Sequence, residues 1–440
     1  MQVSHDTFAA HSEPAIAENP FNHQNVIAGS KMFSDPAHYQ FKIGTYYTTN
    51  GGRTWHDTGV LPGYEQYSTT SDISIAYSSK GIAYACLLAV GGKTSGIFIS
   101  RSTTGGRTWD KPVSVFTDTS GKTFSDKPWI AVEPTTGSKV GAIYVAWNLD
   151  NAGTKDAEAD PNSIFMRQQS EPMTEGLVVT RSIDGGQTFS RPHSIRGFDP
   201  EFSIGAIPAV GPEGTVNIVY ATISDKTGLV DHFELVQSHD RGVTYSNPLI
   251  IVPRVNGLPN HLSSGTFRNL SLPTFAVSPS NGSMVIAWAD QGSTNADILA
   301  SHSTNGGMSW TPPARVNHDR LNNGKDHFMP ALAVAPNGVF TCSWFDRRRD
   351  PLNRLIDVDI AQSTDDGATF GRNIRVTRHS WDPAIDAPEP EGKTNNTFIG
   401  DYQALAVDNR TVHPLWNDTQ NGKTQQIRTA VMPVRLFLRK

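Results

Sequence analysis

The chain has 440 residues, with 37 Lys and Arg against 42 Asp and Glu, and a formal net charge of −5. This balance argues against a protein that binds nucleic acid through its overall charge. No stretch approaches the ~20 apolar residues of a membrane helix, so we expect no membrane insertion. Frequent Gly and Pro, with short runs of Val, Thr and aromatic residues, are typical of an all-β protein rich in turns.

Seven short apolar runs recur along the chain, and each is followed by a turn and a second β-run. The runs lie near residues 13–20, 72–77, 126–132, 207–210, 272–277, 329–334 and 402–407. Cys86 and Cys342 lie in such β-runs, which predicts two buried free thiols.

A second repeat, here called the glycine motif, alternates with these runs and follows the pattern Ser/Thr-x-Asp/Asn/Thr-x-Gly-x-Thr/Ser-aromatic. Its six copies occupy residues 48–55, 102–109, 182–189, 238–245, 303–310 and 363–370. The glycines permit the positive φ of a tight turn between two strands. Each repeat unit therefore contains four predicted strands.

Four-stranded units that recur every ~50–65 residues predict a β-propeller. We expect one all-β domain over 1–440, built of four-stranded antiparallel blades, with seven blades favoured and six as the alternative. The predicted blades lie near 13–60, 71–117, 126–197, 202–253, 269–318, 326–378 and 398–438. The last unit lacks the glycine motif, so residues 431–438 or residues 3–8 would supply its outer strand.

The glycine motifs look like Asp-boxes, or BNR repeats, and the chain resembles the sialidase-like propeller superfamily over almost its whole length. Residues 344–351 and 400–407 are similar to segments of bacterial BNR-repeat proteins described as sialidase-like. The resemblance implies a secreted or extracytoplasmic protein, although no signal peptide is visible. It also implies a glycan or another small acidic substrate, a monomer and no cofactor. The superfamily includes sialidases, other glycoside hydrolases, polysaccharide lyases and proteins that only bind.

The strand order assigns the two repeats to opposite faces. The turn between the third and fourth strands carries the glycine motif, so we expect Asp184, Asp240 and Asp365 to be structural. The long connections at 148–176, 253–269 and 377–399 lie on the other face and predict a binding mouth there.

Polar residues at strand ends collect on this second face. Four aspartates, Asp72, Asp126, Asp326 and Asp401, are expected to point toward the central axis. Close carboxylates raise one another's pKa unless cations intervene, and Lys127, Arg268 and Arg347 are candidate cations. Salt bridges and turn caps are the alternative interpretation of each aspartate. Clustered aspartates are compatible with a structural Ca²⁺, but no metal ligands are assigned.

The resemblance implies specific roles for some of these residues. A sialidase uses a Tyr nucleophile activated by Glu, an Asp acid/base and arginines that hold the substrate carboxylate. Tyr402 would be the nucleophile, Glu201 its activator and Asp72 or Asp126 the acid/base. The substrate-binding candidates are Arg268, Arg347, Arg348, His327, Asp326, Asp401 and Lys127.

Two other functions stay open. The sialidase segment Phe/Tyr-Arg-Ile-Pro has no counterpart, since no arginine precedes Arg53. A polysaccharide lyase or rhamnosidase-type enzyme would use His327, His261, Tyr402 and Arg268, with a His or Tyr removing the proton at C5 of a uronate. A glycan- or protein-binding propeller without catalysis would instead stack its ligand on Trp129, Trp381 and Tyr402.

Overall fold

Seven four-stranded antiparallel sheets stand in a ring, which confirms the seven-bladed β-propeller and excludes six blades. The structure, a computed structural model, describes residues 1–134, 141–151, 176–195, 202–385 and 397–434. In blades 1–6 the strands pair in chain order from the centre outward, whereas in blade 7 both β27 and β28 pair with β26. The first strands of neighbouring blades contact one another around the ring, and the first blade contacts the last.

The first four blades have the following strands. Blade 1 contains β1 (Ala10–Glu18), β2 (Val26–Asp35), β3 (Gln40–Thr48) and β4 (His56–Val60). Blade 2 contains β5 (Thr69–Tyr77), β6 (Ala83–Gly91), β7 (Thr94–Ser102) and β8 (Val113–Asp118). Blade 3 contains β9 (Thr123–Val132), β10 (Ile143–Asn151), β11 (Gly176–Ser182) and β12 (His193–Ser194). Blade 4 contains β13 (Phe202–Val210), β14 (Val216–Ile223), β15 (Val230–Ser238) and β16 (Leu249–Val252).

The last three blades follow the same plan. Blade 5 contains β17 (Thr274–Val277), β18 (Met284–Gln291), β19 (Ala296–Ser303) and β20 (Ala314–Arg315). Blade 6 contains β21 (His327–Val334), β22 (Phe340–Asp346), β23 (Asp357–Ser363) and β24 (Ile374–Arg375). Blade 7 contains β25 (Ala404–Val407), β26 (Thr411–Asp418), β27 (Gln426–Thr429) and β28 (Met432–Pro433). A 3-10 turn at Pro212–Gly214 is the only helical element in the described ranges, where no helix is long and apolar enough to cross a membrane.

The N-terminal residues close the ring by pairing with blade 7. The amide of Val3 donates to Ile427 O at 2.7 Å, and the amide of Thr429 donates to Met1 O at 2.9 Å. Both β27 and β28 pair with β26, so the N-terminal segment lies on the outer side of β27. The Val3 side chain is fully buried in this blade's core, and its burial fixes the closure.

Apolar side chains fill the spaces between adjacent blades. Strand residues of blades 5 and 6 form one such layer, which includes the fully buried rings of Phe328, Trp344 and Phe345. Cys342 belongs to the same layer, and both cysteines are buried free thiols as predicted. Because each apolar layer lies between two neighbouring blades, the hydrophobic core runs around the ring. The centre of the ring is polar and can hold a functional site.

The glycine motifs form the turns between the third and fourth strands, and their polar side chains satisfy the backbone. In the third copy, Asp184 Oδ1 accepts hydrogen bonds from the amides of Gln187 and Thr188, both at 3.0 Å. The hydroxyl of Ser182 accepts from the amide of Gly186 at 2.9 Å. The structural role predicted for Asp184 is therefore confirmed, and Asp240 and Asp365 accept equivalent hydrogen bonds.

Asp184→Ala is expected to destabilise the fold without changing chemistry at the centre of the ring. The substitution leaves two backbone amides and the Thr188 hydroxyl without their acceptor. Loss of such a network costs about 1–2 kcal/mol when water can replace part of it. Urea denaturation measures the change, with the exposed Asp225→Ala as a control that should remain at the wild-type stability. Equal stability of Asp184→Ala and wild type would contradict the structural role.

Candidate active site at the centre of the ring

A bulge in the innermost strands turns one side chain of several blades toward the ring centre. The ladders of β1, β5, β13 and β21 with their partners each shift register at this point. The bulged residues have left-handed backbone angles, with φ of 51° at Glu13, 52° at Asp72 and 48° at Lys127. A bulge re-aims a side chain and is common beside functional sites. Blade 4 has Gly205 at this position and blade 6 has Met329, so the charge lies on the side of blades 1–3.

A cavity lies on that side of the centre. It is bordered by charged groups from blades 1–3, from the segment before β17 and from the segment before β25, namely Glu13, Lys31, Asp72, Asp126, Lys127, Arg268 and Asp401. Its volume is about 30 Å³, which is room for roughly one or two water molecules. Four carboxyl groups therefore share a small space with three cations. The sequence-based expectation that Asp72, Asp126, Lys127, Arg268 and Asp401 converge agrees with this geometry.

Asp401 joins two of the cations. Its Oδ1 accepts from Nε of Arg268 at 3.0 Å, and its Oδ2 accepts from Nη2 of Arg268 and from Nζ of Lys127, both at 2.7 Å. Burial opposes ionisation of Asp401, but Arg268 and Lys127 more than offset this effect and hold the pKa well below its usual range. Asp401 is therefore an ionised anchor that positions both cations.

A second ion pair, between Lys31 and Glu13, lies beside the first. Both side chains are buried and in direct contact. Burial would lower the pKa of Lys31, but the Glu13 carboxylate more than offsets it and raises that pKa. The second Glu13 oxygen, Oε1, accepts from the amide of Asp401 at 3.2 Å. The two ion pairs thus form one network across blades 1 and 7.

Asp126 differs from the other three carboxyl groups because it is only half-buried, whereas Glu13, Asp72 and Asp401 are buried. Its Oδ1 accepts from the amide of Lys127 at 2.9 Å. Burial raises the pKa of Asp126 to about 7, Lys127 opposes this shift, and the negative charge of Asp72 adds to it. A carboxyl group with such a pKa is able to donate and accept a proton near neutral pH.

Asp72 lies on the neighbouring blade and remains ionised. Burial opposes its ionisation, but Lys31 and Lys127 more than offset the effect and lower the pKa of this carboxyl. The hydroxyl of Tyr402 donates to Asp72 Oδ1 at 3.3 Å. Burial and the charges of Glu13 and Asp72 raise the pKa of Tyr402 well above its ordinary value. The phenol is therefore held in its neutral form and acts as a hydrogen-bond donor.

The three-arginine arrangement expected from the resemblance is not assembled in the part of the chain that the structure describes. Only Arg268 borders the cavity. The Arg347 guanidinium is fully buried between the rings of Phe267 and Phe328, at 5.1 and 5.3 Å from their centres. Arg348 donates through Nε to Asp346 at 2.8 Å. These contacts withdraw both arginines from the cavity, so their assignment to substrate binding is corrected.

Two further substrate-binding candidates belong to a separate polar cluster in blades 5 and 6. Asp326 accepts from the Asn353 side chain at 2.6 Å and from the Ala296 amide at 3.0 Å. The fully buried His327 lies with Nδ1 3.0 Å from Ala296 O and Nε2 3.3 Å from Asp346 Oδ2. The assignment of Asp326 and His327 to the cavity is corrected as well, because both form hydrogen bonds or ion pairs within blades 5 and 6. Glu201 lies outside the described residues.

The aromatic candidates also separate. The Trp381 side chain is only 2% exposed, which removes it as a stacking surface. Trp129 is half-buried, and its ring centre lies 5.5 Å from that of Tyr402. His261 is exposed, with Nδ1 3.2 Å from the carbonyl oxygen of Phe267. Of the two tryptophans, only Trp129 is thus partly accessible, and it contacts Tyr402 rather than bordering the cavity directly.

Sequence reasoning missed Glu13 and Lys31 as site residues. Glu13 could have been predicted, because it stands at the start of the first apolar run, as Asp72 and Asp126 stand at the start of the next two. Lys31 has no such signal, since it lies in the middle of β2, the second strand of its blade, and yet borders the cavity.

No protein-family model matches the chain, and no curated protein matches it in sequence. Solved structures share its fold. A protein of unknown function from Dyadobacter fermentans has a TM-score of 0.52 and 14% identity over 98% of this chain and 96% of its own. An ulvan lyase of polysaccharide lyase family PL25 has a TM-score of 0.52 and 10% identity over 98% and 96%. A Trypanosoma rangeli sialidase has a TM-score of 0.43 and 10% identity over 96% of this chain and 54% of its own. The chain is thus a seven-bladed propeller whose structural neighbours include carbohydrate-active enzymes.

Proposed function

We propose that the chain is a glycoside hydrolase in which Asp126 protonates the leaving oxygen of a sugar bound at the central cavity. The observation that carries this proposal is that Asp126 and Asp72 border the same cavity, where their surroundings displace the two carboxyl pKa values in opposite directions. The pKa of Asp126 is raised to about 7 and that of Asp72 is lowered. Such a pair provides a proton donor and an ionised partner at the same pH, which is the requirement of glycoside hydrolysis.

The remaining groups would orient this pair. Ionised Asp72 would stabilise the positive charge that develops on the sugar ring, and the Tyr402 hydroxyl would hold Asp72 in place. The cavity of about 30 Å³ would admit a single polar substituent, with the sugar ring lying outside against the half-buried Trp129. We therefore assign Tyr402 a positioning role, in place of the nucleophilic role that the sialidase resemblance implies.

We further propose an acidic glycan as the substrate. All three cations at the cavity are already paired with Glu13 or Asp401, so an anionic substituent has to share one of them. Arg268 is the most accessible of the three, because its side chain is 19% exposed whereas those of Lys31 and Lys127 are 6% and 4% exposed. A substrate carboxylate would add one more hydrogen-bond acceptor to this guanidinium.

The product distinguishes this proposal from its alternatives. We expect turnover of a sialoside or a uronate polymer to release reducing sugar with no new ultraviolet absorbance. An unsaturated uronate that absorbs in the ultraviolet would instead establish a lyase, which has the fold-level support of the ulvan lyase. Binding of a glycan with neither product, measured by calorimetry, would establish a non-catalytic propeller.

Tyr402→Phe separates the hydrolase from the lyase. In the hydrolase the substitution removes one hydrogen bond to Asp72, so kcat/KM should fall about 10-fold or less. In a lyase with Tyr402 as the proton-transfer group, the loss should be about 10²–10⁴-fold. The control is Tyr64→Phe, which removes a buried hydroxyl bonded to Ser100 at 3.0 Å away from the cavity and should leave turnover unchanged. A loss above 10²-fold in Tyr402→Phe alone would contradict the hydrolase mechanism proposed here, in which Tyr402 only positions Asp72.

A further inference from the structure

A second cluster of charged side chains joins the first and last blades at the opposite end of the inner strands. Glu18 ends β1, His23 lies in the turn between β1 and β2, Asp408 follows β25, and His413 lies in β26. Glu18 is five residues beyond Glu13, or roughly 16 Å along the strand. Glu18 pairs with Val26, which pairs with Thr48 of the first glycine motif. The cluster therefore lies near the glycine-motif face and is separate from the cavity.

The donor atoms of these residues converge. Nδ1 of His23 lies 2.6 Å from Glu18 Oε1 and 2.9 Å from Asp408 Oδ2. Nε2 of His413 lies 3.7 Å from Glu18 Oε2. One ligand atom each from Glu18, His23 and Asp408 can be chosen within 4.8 Å of one another. Three side chains from two blades thus meet in one small volume, and His413 faces it through Glu18 Oε2.

An independent observation points to a ligand at this place. The side chain of His413 is only 1% exposed, and neither of its ring nitrogens has a hydrogen-bond partner among the residues that the structure describes. Glu18 Oε2, which faces it, is buried as well. A buried imidazole with both nitrogens unsatisfied is costly. A cation bound between Nε2 of His413 and Oε2 of Glu18 would satisfy both atoms at once.

We propose that Glu18, His23, Asp408 and His413 form a Zn²⁺ site that fastens the last blade to the first. Zn²⁺ accepts both imidazole nitrogen and carboxylate oxygen in a four-coordinate shell, and His413 would be the fourth ligand beside the converging Glu18, His23 and Asp408. The two nitrogen ligands disfavour Ca²⁺ and Mg²⁺, which select oxygen. The ion would also neutralise two carboxylates that meet at one point. Because the ligands come from both sides of the ring closure, binding stabilises the closed ring.

Metal binding by the intact protein tests the proposal. After treatment with EDTA and removal of the chelator, added ZnCl₂ is expected to bind at about one ion per chain by calorimetry and by metal analysis. At a free Zn²⁺ concentration 100 times the Kd, the Tm should rise by about 3 °C for a chain of this size. The same concentration of CaCl₂ should leave the Tm unchanged. Absence of stoichiometric Zn²⁺ binding, or an equal response to Ca²⁺, would overturn the site.

His23→Ala and a matched histidine variant localise the effect. The His23 side chain is 42% exposed, so its removal should preserve the fold. We expect the Kd for Zn²⁺ to rise about 100-fold or more, since even a group that only orients a ligand contributes 10–100-fold. His38→Ala removes an exposed histidine that also pairs with an aspartate, Asp35, at 2.7 Å, and should bind Zn²⁺ as the wild type does. Equal Zn²⁺ affinity in His23→Ala and wild type would overturn the assignment of the ligands.

Discussion

Asp126→Asn is expected to abolish turnover and, at pH 8, to make the protein more stable than the wild type. The activity falls because asparagine cannot protonate a leaving oxygen, and loss of a general acid costs about 10²–10⁴-fold. The stability rises because asparagine stays neutral where the wild type must hold a charged, half-buried carboxylate. The hydrogen bond from the Lys127 amide to Oδ1 can be retained by the amide oxygen of asparagine.

The direction of the stability change follows from the pKa of Asp126. Its pKa is raised from 3.8 to about 7 in the folded protein, so between these values the folded state binds more protons than the unfolded state. Stability conferred by protonated Asp126 is therefore lost as the pH rises from about 4 to about 7. At about 1.4 kcal/mol per pKa unit, the difference amounts to about 2–4 kcal/mol at pH 8. At pH 5 the wild type is largely protonated, and most of the difference should disappear.

Urea denaturation of Asp126→Asn and wild type at pH 5 and pH 8 measures this effect. Asp110→Asn is the control, because Asp110 is 64% exposed and only 3.7 Å from Arg101; its stability should follow the wild type at both pH values. In the wild type, kcat/KM should fall as the pH rises through about 7, when Asp126 loses its proton. A less stable Asp126→Asn protein at pH 8, or one with full activity, would refute the role of Asp126.

The fold was predictable because its determinants are local and repeated. Each glycine motif satisfies its own turn, as Asp184 does, so its sequence pattern carries the structure of that turn. Each apolar run supplies an inner strand that looks the same in every blade. Seven such runs determine the number of blades, and a missing seventh motif predicted the atypical last blade, where the N-terminal residues pair with β27.

The candidate site was predictable only in part, because contacts between blades decide which charged side chains reach the cavity. Asp72, Asp126 and Lys127 were accessible to sequence reasoning, since an inner-strand position faces the axis by its place in the repeat. Arg347 and Arg348 occupy a comparable place after β22, but aromatic rings and Asp346 capture them. These contacts depend on how neighbouring blades pack, and a local sequence pattern does not contain that information.

Asp401→Asn is expected to cause the largest loss of stability of any single substitution at the cavity. Its carboxylate is fully buried and accepts three hydrogen bonds from Arg268 and Lys127. Asparagine would leave both cations without their counter-ion, and breaking such a buried pair costs about 3–5 kcal/mol. The pKa of Asp401 is lowered in the folded protein, so its contribution is present above its unfolded pKa and is lost as the pH falls through the folded value.

The same substitution should shift the activity profile to lower pH. The negative charge of Asp401 raises the pKa of Asp126, whereas Lys127 lowers it. Asp401→Asn removes the negative charge and leaves Lys127 without its partner, and both changes lower the pKa of Asp126. Asp126 would then lose its proton at a lower pH, so kcat/KM should begin to fall below pH 7. Asp418→Asn, which removes another buried carboxylate that pairs with Arg428 at 3.1 Å, should not move this profile.

A double variant separates the unpaired charge from the lost hydrogen bonds. In Asp401→Asn with Lys127→Met, one cation is removed together with its counter-ion, so the variant should recover part of the stability that Asp401→Asn loses. Urea denaturation at pH 6 measures the recovery, because Asp401 is fully ionised in the wild type at that pH. If the double variant were no more stable than Asp401→Asn, the unpaired Lys127 charge would not be the source of the loss. The network around Asp401 would then contribute through its geometry, with Arg268 as the dominant partner.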